Sequence, residues 1–152
     1  PPDGDRLVST GMDTGRLAPA IDVQFDRPSR RYAPGDALVV RYRIGGLELE
    51  TVRAVEVSVA WYTEGKGEED LFVHAFERVV DRDGLRTALQ GDGLEVRLPP
   101  SPLSYEGVIV KIRWCVRVRV FYVGGRDYVS EHVFEVGAIP PAVAPTPPEA
   151  VP

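Results

Sequence analysis

The sequence holds one cysteine, Cys115, and two histidines, His74 and His132, among 152 residues. A lone thiol closes no intrachain disulfide, so a disulfide-stapled secreted scaffold is excluded and a reducing, cytoplasmic compartment is expected. These few soft donors fall short of a structural zinc site. No apolar run approaches the length of a membrane span, so direct membrane insertion is not expected. No signal peptide is recognisable, and the chain opens on Pro1 instead of Met, which reads as a start cut from something longer. The GxSxG, HExxH, CxxC and dinucleotide fingerprints are all absent. With no nucleophile placed beside a base, neither an enzyme nor a cofactor is expected.

Charge of one sign is also scarce as a global feature. The net charge is −5, which gives no overall attraction to nucleic acid or anionic lipid. The apolar share of 43% and charged share of 27% are ordinary for a globular domain, which excludes disorder throughout.

What is present is a period of two. Residues 1–20 are polar and Gly-rich and read as a flexible N-terminal segment, and residues 138–152 form a Pro/Ala-rich tail or linker. Between them, residues 21–137 alternate. Ile21, Val23 and Phe25 alternate with Asp22, Gln24 and Asp26; Leu38, Val40, Tyr42 and Ile44 follow the turn-like RYAPGD, in which Pro34 pre-sets the bend and Gly35 supplies positive φ. Val55 to Trp61, Leu94 to Leu98, Val108 to Tyr122 and Tyr128 to Val136 continue the pattern, and Leu71 to Val80 reads as another strand. About seven strands separated by Gly and Pro predict an antiparallel, immunoglobulin-like β-sandwich instead of any βαβ arrangement. Leu85, Ala88 and Leu89 have helical spacing, but a single turn between Gly84 and Gly91 does not amount to an amphipathic helix, and DRDG at Asp81 to Gly84 reads as a turn.

The stretch SYEGVIVKIRWCVRVRVFYV, Ser104 to Val123, is the most informative. Alternation puts Val108, Val110, Ile112, Trp114, Val116, Val118, Val120 and Tyr122 on a core face, and Lys111, Arg113, Cys115, Arg117, Arg119 and Phe121 on the other. A one-residue slip would bury the arginines, so the register is fixed. At roughly 50 Å fully extended, the strand is long enough to predict a bend near Trp114 and Cys115, or a strand serving both ends of a tall sandwich. The basic stripe reads as a solvated back, balanced by Glu131 and Glu135 on the next strand, with Glu95 and Arg97 adding to it. The functional reading of the same stripe, Lys111, Arg113, Arg117 and Arg119, is a partner-binding surface for an acidic protein. Trp114 and Tyr122 fall on the core face, which argues against base stacking and against nucleic-acid binding.

The other candidates favour structural readings. GKGEED, Gly65 to Asp70, lacks the phosphate-loop spacing and a following helix, and reads as a hairpin loop. Glu64, Glu68, Glu69 and Asp70 form an acidic cluster of the kind that exposed loops collect, with weak calcium binding as its functional reading. Cys115 reads as a small residue on a half-buried face.

LPPSPLSYEGVIVKIRWCVRVRV resembles the strand-turn-strand signature of the arrestin fold, a strand ending in proline followed by an S-(F/Y)-x-G turn and a long "IRY.V.V" strand. Pro99, Pro100, Ser104, Tyr105, Gly107, Ile112 and Arg113 match it, and Trp114 stands where the family has tyrosine. YAPGD, Tyr32 to Asp36, resembles the family's "Y.PGd.v" turn, and Phe134 and Val136 its closing strand. The resemblance implies a single arrestin-like sandwich used as a non-catalytic interaction or scaffold module for protein partners. Strand edges offer a route to a homo-oligomer as well. Arrestins carry two such sandwiches, whereas this chain has room for one. The rival reading is a carbohydrate- or calcium-dependent ligand-binding sandwich of a larger protein.

Overall fold

The computed structural model describes residues 6–9, 18–65, 67 and 69–137. The tail from residue 138, most of the N-terminal segment, Lys66 and Glu68 lie outside the described residues. Among the described residues ten strands and one α-helix, with a short 3-10 turn at Leu49–Thr51, follow in the order β1 Arg6–Ser9, β2 Ala20–Phe25, β3 Arg31–Tyr32, β4 Ala37–Gly45, β5 Val52–Gly65, β6 Asp70–Val79, α1 Arg82–Gln90, β7 Asp92–Arg97, β8 Tyr105–Glu106, β9 Val110–Tyr122 and β10 Asp127–Val136. The seven stretches read as strands become β2, β4, β5, β6, β7, β9 and β10. The short β1, β3 and β8 carry too few residues to show a period, and β1 falls inside the segment read as flexible.

The strands form two sheets, and the chain is an all-β sandwich. The larger sheet runs β1-β10-β9-β5-β6, with β3 added alongside β10 and β8 alongside β9; the smaller runs β2-β4-β7. Among the described residues only the β3–β10 pairing is parallel. Their facing sides share one core, built from Leu38, Val40, Tyr42 and Ile44 of β4, Val55, Val57 and Val59 of β5, and Trp114, Val116, Val118 and Val120 of β9. Each such side chain contributes roughly 1.5–3 kcal/mol on leaving water.

Turn chemistry follows the sequence. Gly35 sits at φ +83° and Asp36 N–H donates to Ala33 O at 3.1 Å, closing the Pro-Gly turn. Gly107 is required sterically, because a Cβ there would collide with Val110 O and the Tyr105 ring. Ser104 ties the start of the β8–β9 hairpin to β10 by accepting from Val136 N–H at 2.8 Å.

Several expectations are corrected. The stretch read as helix-free contains α1, with Asp81 as its N-cap: the carboxylate accepts from Gly84 N–H at 2.8 Å, so DRDG is the opening turn of a helix. Leu85 and Ala88 are buried in the core, and packing supplies the stability that a nine-residue helix lacks alone. Val108 and Val110, assigned to the core face, are 69% and 40% exposed, because the hairpin tip reaches beyond the shared core. No register shift occurs at Trp114 and Cys115; the irregularities fall at Val52/Ala54 and Val59/Ala60 of β5. Thirteen continuous residues of β9 therefore serve both ends of the sandwich. Its second face is not simply solvated: Cys115 is fully buried with Ala60, Tyr62 and Val133 in a separate apolar cluster.

Candidate functional site

The basic stripe lies on the outer face of the large sheet, and register decides its neighbours. Arg117 stands between Ser58 of β5 and Glu131 of β10, and Arg119 between Glu56 and Val129. Lys111 Nζ reaches Glu106 at 3.5 Å, and Arg113 reaches Glu64 at 3.1 Å and Glu106 at 3.2 Å. Arg117 Nε lies 3.5 Å from Glu131 Oε2. Arg119 pairs with Asp127 and lays its guanidinium over the Phe121 ring, 4.6 Å from the centroid. The geometry brings all four stripe residues together, each against a carboxylate of this same chain. Glu131 is found where the sequence placed it; Glu135 pairs with Arg31 instead, and Glu95 and Arg97 belong to the smaller sheet. Asp127, the partner of Arg119, was missed because it begins β10 just after a turn, outside the alternating set.

Glu131 and Asp127 are 5% and 8% exposed. Carboxylates so buried persist only when paired, so the stripe is in part the counter-charge of buried acids. Burial above all pushes the Tyr62 hydroxyl, on this same face, up to about 12, with the Cys115 thiol, Glu64 and Glu131 adding to it.

The histidines are structural neighbours of the core. His74 Nε2–H donates to Arg97 O at 2.9 Å, and its ring meets Trp114 edge-on at 5.9 Å. Ser130 Oγ and His132 Nε2 lie 2.8 Å apart, a pair that i,i+2 spacing on one strand face allows, but both residues are 4% exposed and closed to any substrate. Among the described residues no cluster of His, Cys, Asp and Glu is placed to hold a metal ion, and no helix is long and apolar enough to cross a membrane. Glu64 of the acidic loop is engaged by Arg113.

A second surface emerges at β6. It terminates the large sheet, and among the described residues no strand pairs with it on the side away from β5. Yet Leu71, Phe72, Val73 and Phe76 are 39%, 45%, 54% and 57% exposed. Phe72 stacks on Trp61, with ring centroids 4.1 Å apart, so the strand is rigidly held on its paired side. A long exposed edge rich in apolar side chains, without the lysines or prolines that usually guard one, is a template for strand addition. The sequence carried a signal for it: DLFVHAF sets Leu71, Phe72 and Val73 in succession, breaking the alternation of a one-sided strand. Periodicity alone did not show that this strand would lie at an edge.

No protein-family model matches the sequence, and no curated protein matches it either. Among solved structures, the chain is similar to Spo0M, a sporulation control protein from Bacillus subtilis, with TM-score 0.58 and 15% identity over 81% of this chain and 51% of that one. The chain thus spans about half of the Spo0M chain. A superoxide reductase (neelaredoxin) from Ignicoccus hospitalis aligns with TM-score 0.47 and 14% identity, covering 80% of this chain and 81% of that one. At these identities the likeness to Spo0M is one of fold, and it agrees with the β-sandwich described above.

Proposed function

We propose that this protein is a non-catalytic, arrestin-like interaction module that captures an extended segment of a protein partner by strand addition at β6. The observation that carries the reading is the unpaired edge of β6 with Leu71, Val73 and Phe76 exposed. Strand addition draws affinity from main-chain hydrogen bonds and specificity from alternate side chains, and β6 offers both. The fold-level likeness to Spo0M, described as a control protein, supports a regulatory role of this kind. The basic stripe serves in part to compensate buried carboxylates, with partner contact through its more exposed members, Lys111 and Arg119. The test is selection of extended peptides from a displayed library against the folded protein. Selected peptides should lose binding to Phe76→Lys and keep it with Arg43→Ala, on the opposite sheet. Peptides indifferent to Phe76→Lys, or no enrichment at all, would overturn the reading.

The ligand-binding alternative has one observation in its favour. A groove of about 820 Å³ lies over the smaller sheet, where Arg41 and Arg43 point out beside Gln24, Gln90 and Glu95. Arg41 faces Gly93 directly across the strands, which leaves room for a polar ligand. Titration with a glycan panel, read by heat and by loss on Arg41→Ala, tests it.

A further inference from the structure

We infer that the occupant of the β6 edge is a second copy of this chain, paired antiparallel about a two-fold axis between His74 and Ala75. The inference rests on the strand-addition reading above and adds the partner and the register.

It begins with the bulge. Along β5, Ala60 faces Val73 and Val59 faces Ala75, so His74 is an extra residue with no partner of its own. In a regular strand, residues on one face share parity. Here the extra residue inverts the parity halfway along. Leu71 and Val73 stand on the outer face opposite Tyr62 and Ala60, and Phe76 and Arg78 stand on that same face opposite Ser58 and Glu56. Phe72, His74, Ala75 and Glu77 turn toward the inner side. His74 is placed there by its contacts with Arg97 O and the Trp114 ring.

The face pattern is therefore palindromic about the His74–Ala75 peptide. Outer residues 71 and 73 mirror 78 and 76, and inner residues 72 and 74 mirror 77 and 75. Residues directly opposite in an antiparallel pair must lie on the same face of the sheet. Two copies of β6 meet that condition along the whole strand only in this one register. It sets Val73 against Phe76 of the second copy, twice by symmetry, and Leu71 against Arg78.

Side-chain chemistry agrees. Val73–Phe76 is a β-branched–aromatic pair, among the favourable cross-strand combinations. No two like charges oppose each other: Asp70 meets Val79 and Glu77 meets Phe72. Arg78 of each copy falls on the diagonal from Glu69 of the other, an attractive placement. A bulge ordinarily twists an edge away from pairing; at the symmetry midpoint, each kink meets the same kink of the other copy. The contact is isologous and closes on itself, giving dimers instead of fibres.

The experiment is sedimentation equilibrium of the full chain across a wide concentration range, with mass rising from one chain toward two. Val73→Lys and Phe76→Glu each alter an exposed side chain, so circular dichroism and thermal melting should report an intact fold. Each alone should weaken the dimer by about tenfold. An equimolar mixture of the two variants should dimerise better than either alone, because the introduced lysine and glutamate then face each other while Phe76 meets Val73 in the symmetric pair. Recovery in the mixture is specific to this register. A chain that stays monomeric at every concentration overturns the self-association, whereas peptide selection then reports separately on the edge itself. Dimers unaffected by either variant, or a mixture no better than its components, also overturn it.

Discussion

Arg117 and Glu131 stand directly opposite each other on β9 and β10, with Arg117 Nε and Glu131 Oε2 3.5 Å apart and the glutamate 5% exposed. An acid this deeply buried depends on its cation. The pairing turns an apparently solvated stripe into part of the protein's framework.

Arg117→Ala is therefore expected to destabilise the fold by roughly 1–3 kcal/mol, and adding Glu131→Gln should recover part of the loss. Chemical denaturation of both variants checks this. Equal stability of the single variant and the parent would show that the stripe at this position is dispensable.

The Tyr62 hydroxyl is raised from 10.0 to about 12, chiefly by burial. A raised folded value favours the neutral phenol in the fold, so this contribution is fully present below pH 10 and is lost as pH rises through about 12. Ultraviolet titration should show tyrosinate forming late and together with unfolding. Tyr62→Phe should delay the alkaline transition.

Gly107→Ala forces a Cβ into Val110 O and the Tyr105 ring, whereas a Cβ at Gly124 meets nothing within 4 Å. Thermal melting should show a loss of about 1–3 kcal/mol for the first and a change within about 0.5 kcal/mol for Gly124→Ala.

Asp81→Ala removes the side-chain cap of α1 and should cost about 1 kcal/mol, with Asp81→Asn close to the parent. Denaturation midpoints of the two variants separate capping from charge.

The pattern of burial was partly legible. Trp114, Val116, Val118, Val120 and Tyr122 are buried as alternation requires, but the same rule assigned Val108 and Val110 to the core, where no second sheet reaches them. Alternation says which side a residue faces, not how far the covering layer extends. Helix α1 was hidden because nine residues with Gly84 inside the first turn and Gly91 at the end carry little intrinsic signal, and its stability comes from Leu85 and Ala88 packing into a core built elsewhere in the chain.

By itself the sequence determined the seven longer strands, the inward face of most of them and the Pro34–Gly35 turn, because these follow from side-chain period and local sterics. Only the tertiary structure decided that Asp127 answers Arg119, that Cys115 is buried on the outer face, and that β6 lies at an edge with a bulge at its middle. Those outcomes depend on which strands become neighbours and in what register, and such contacts join residues far apart in the chain.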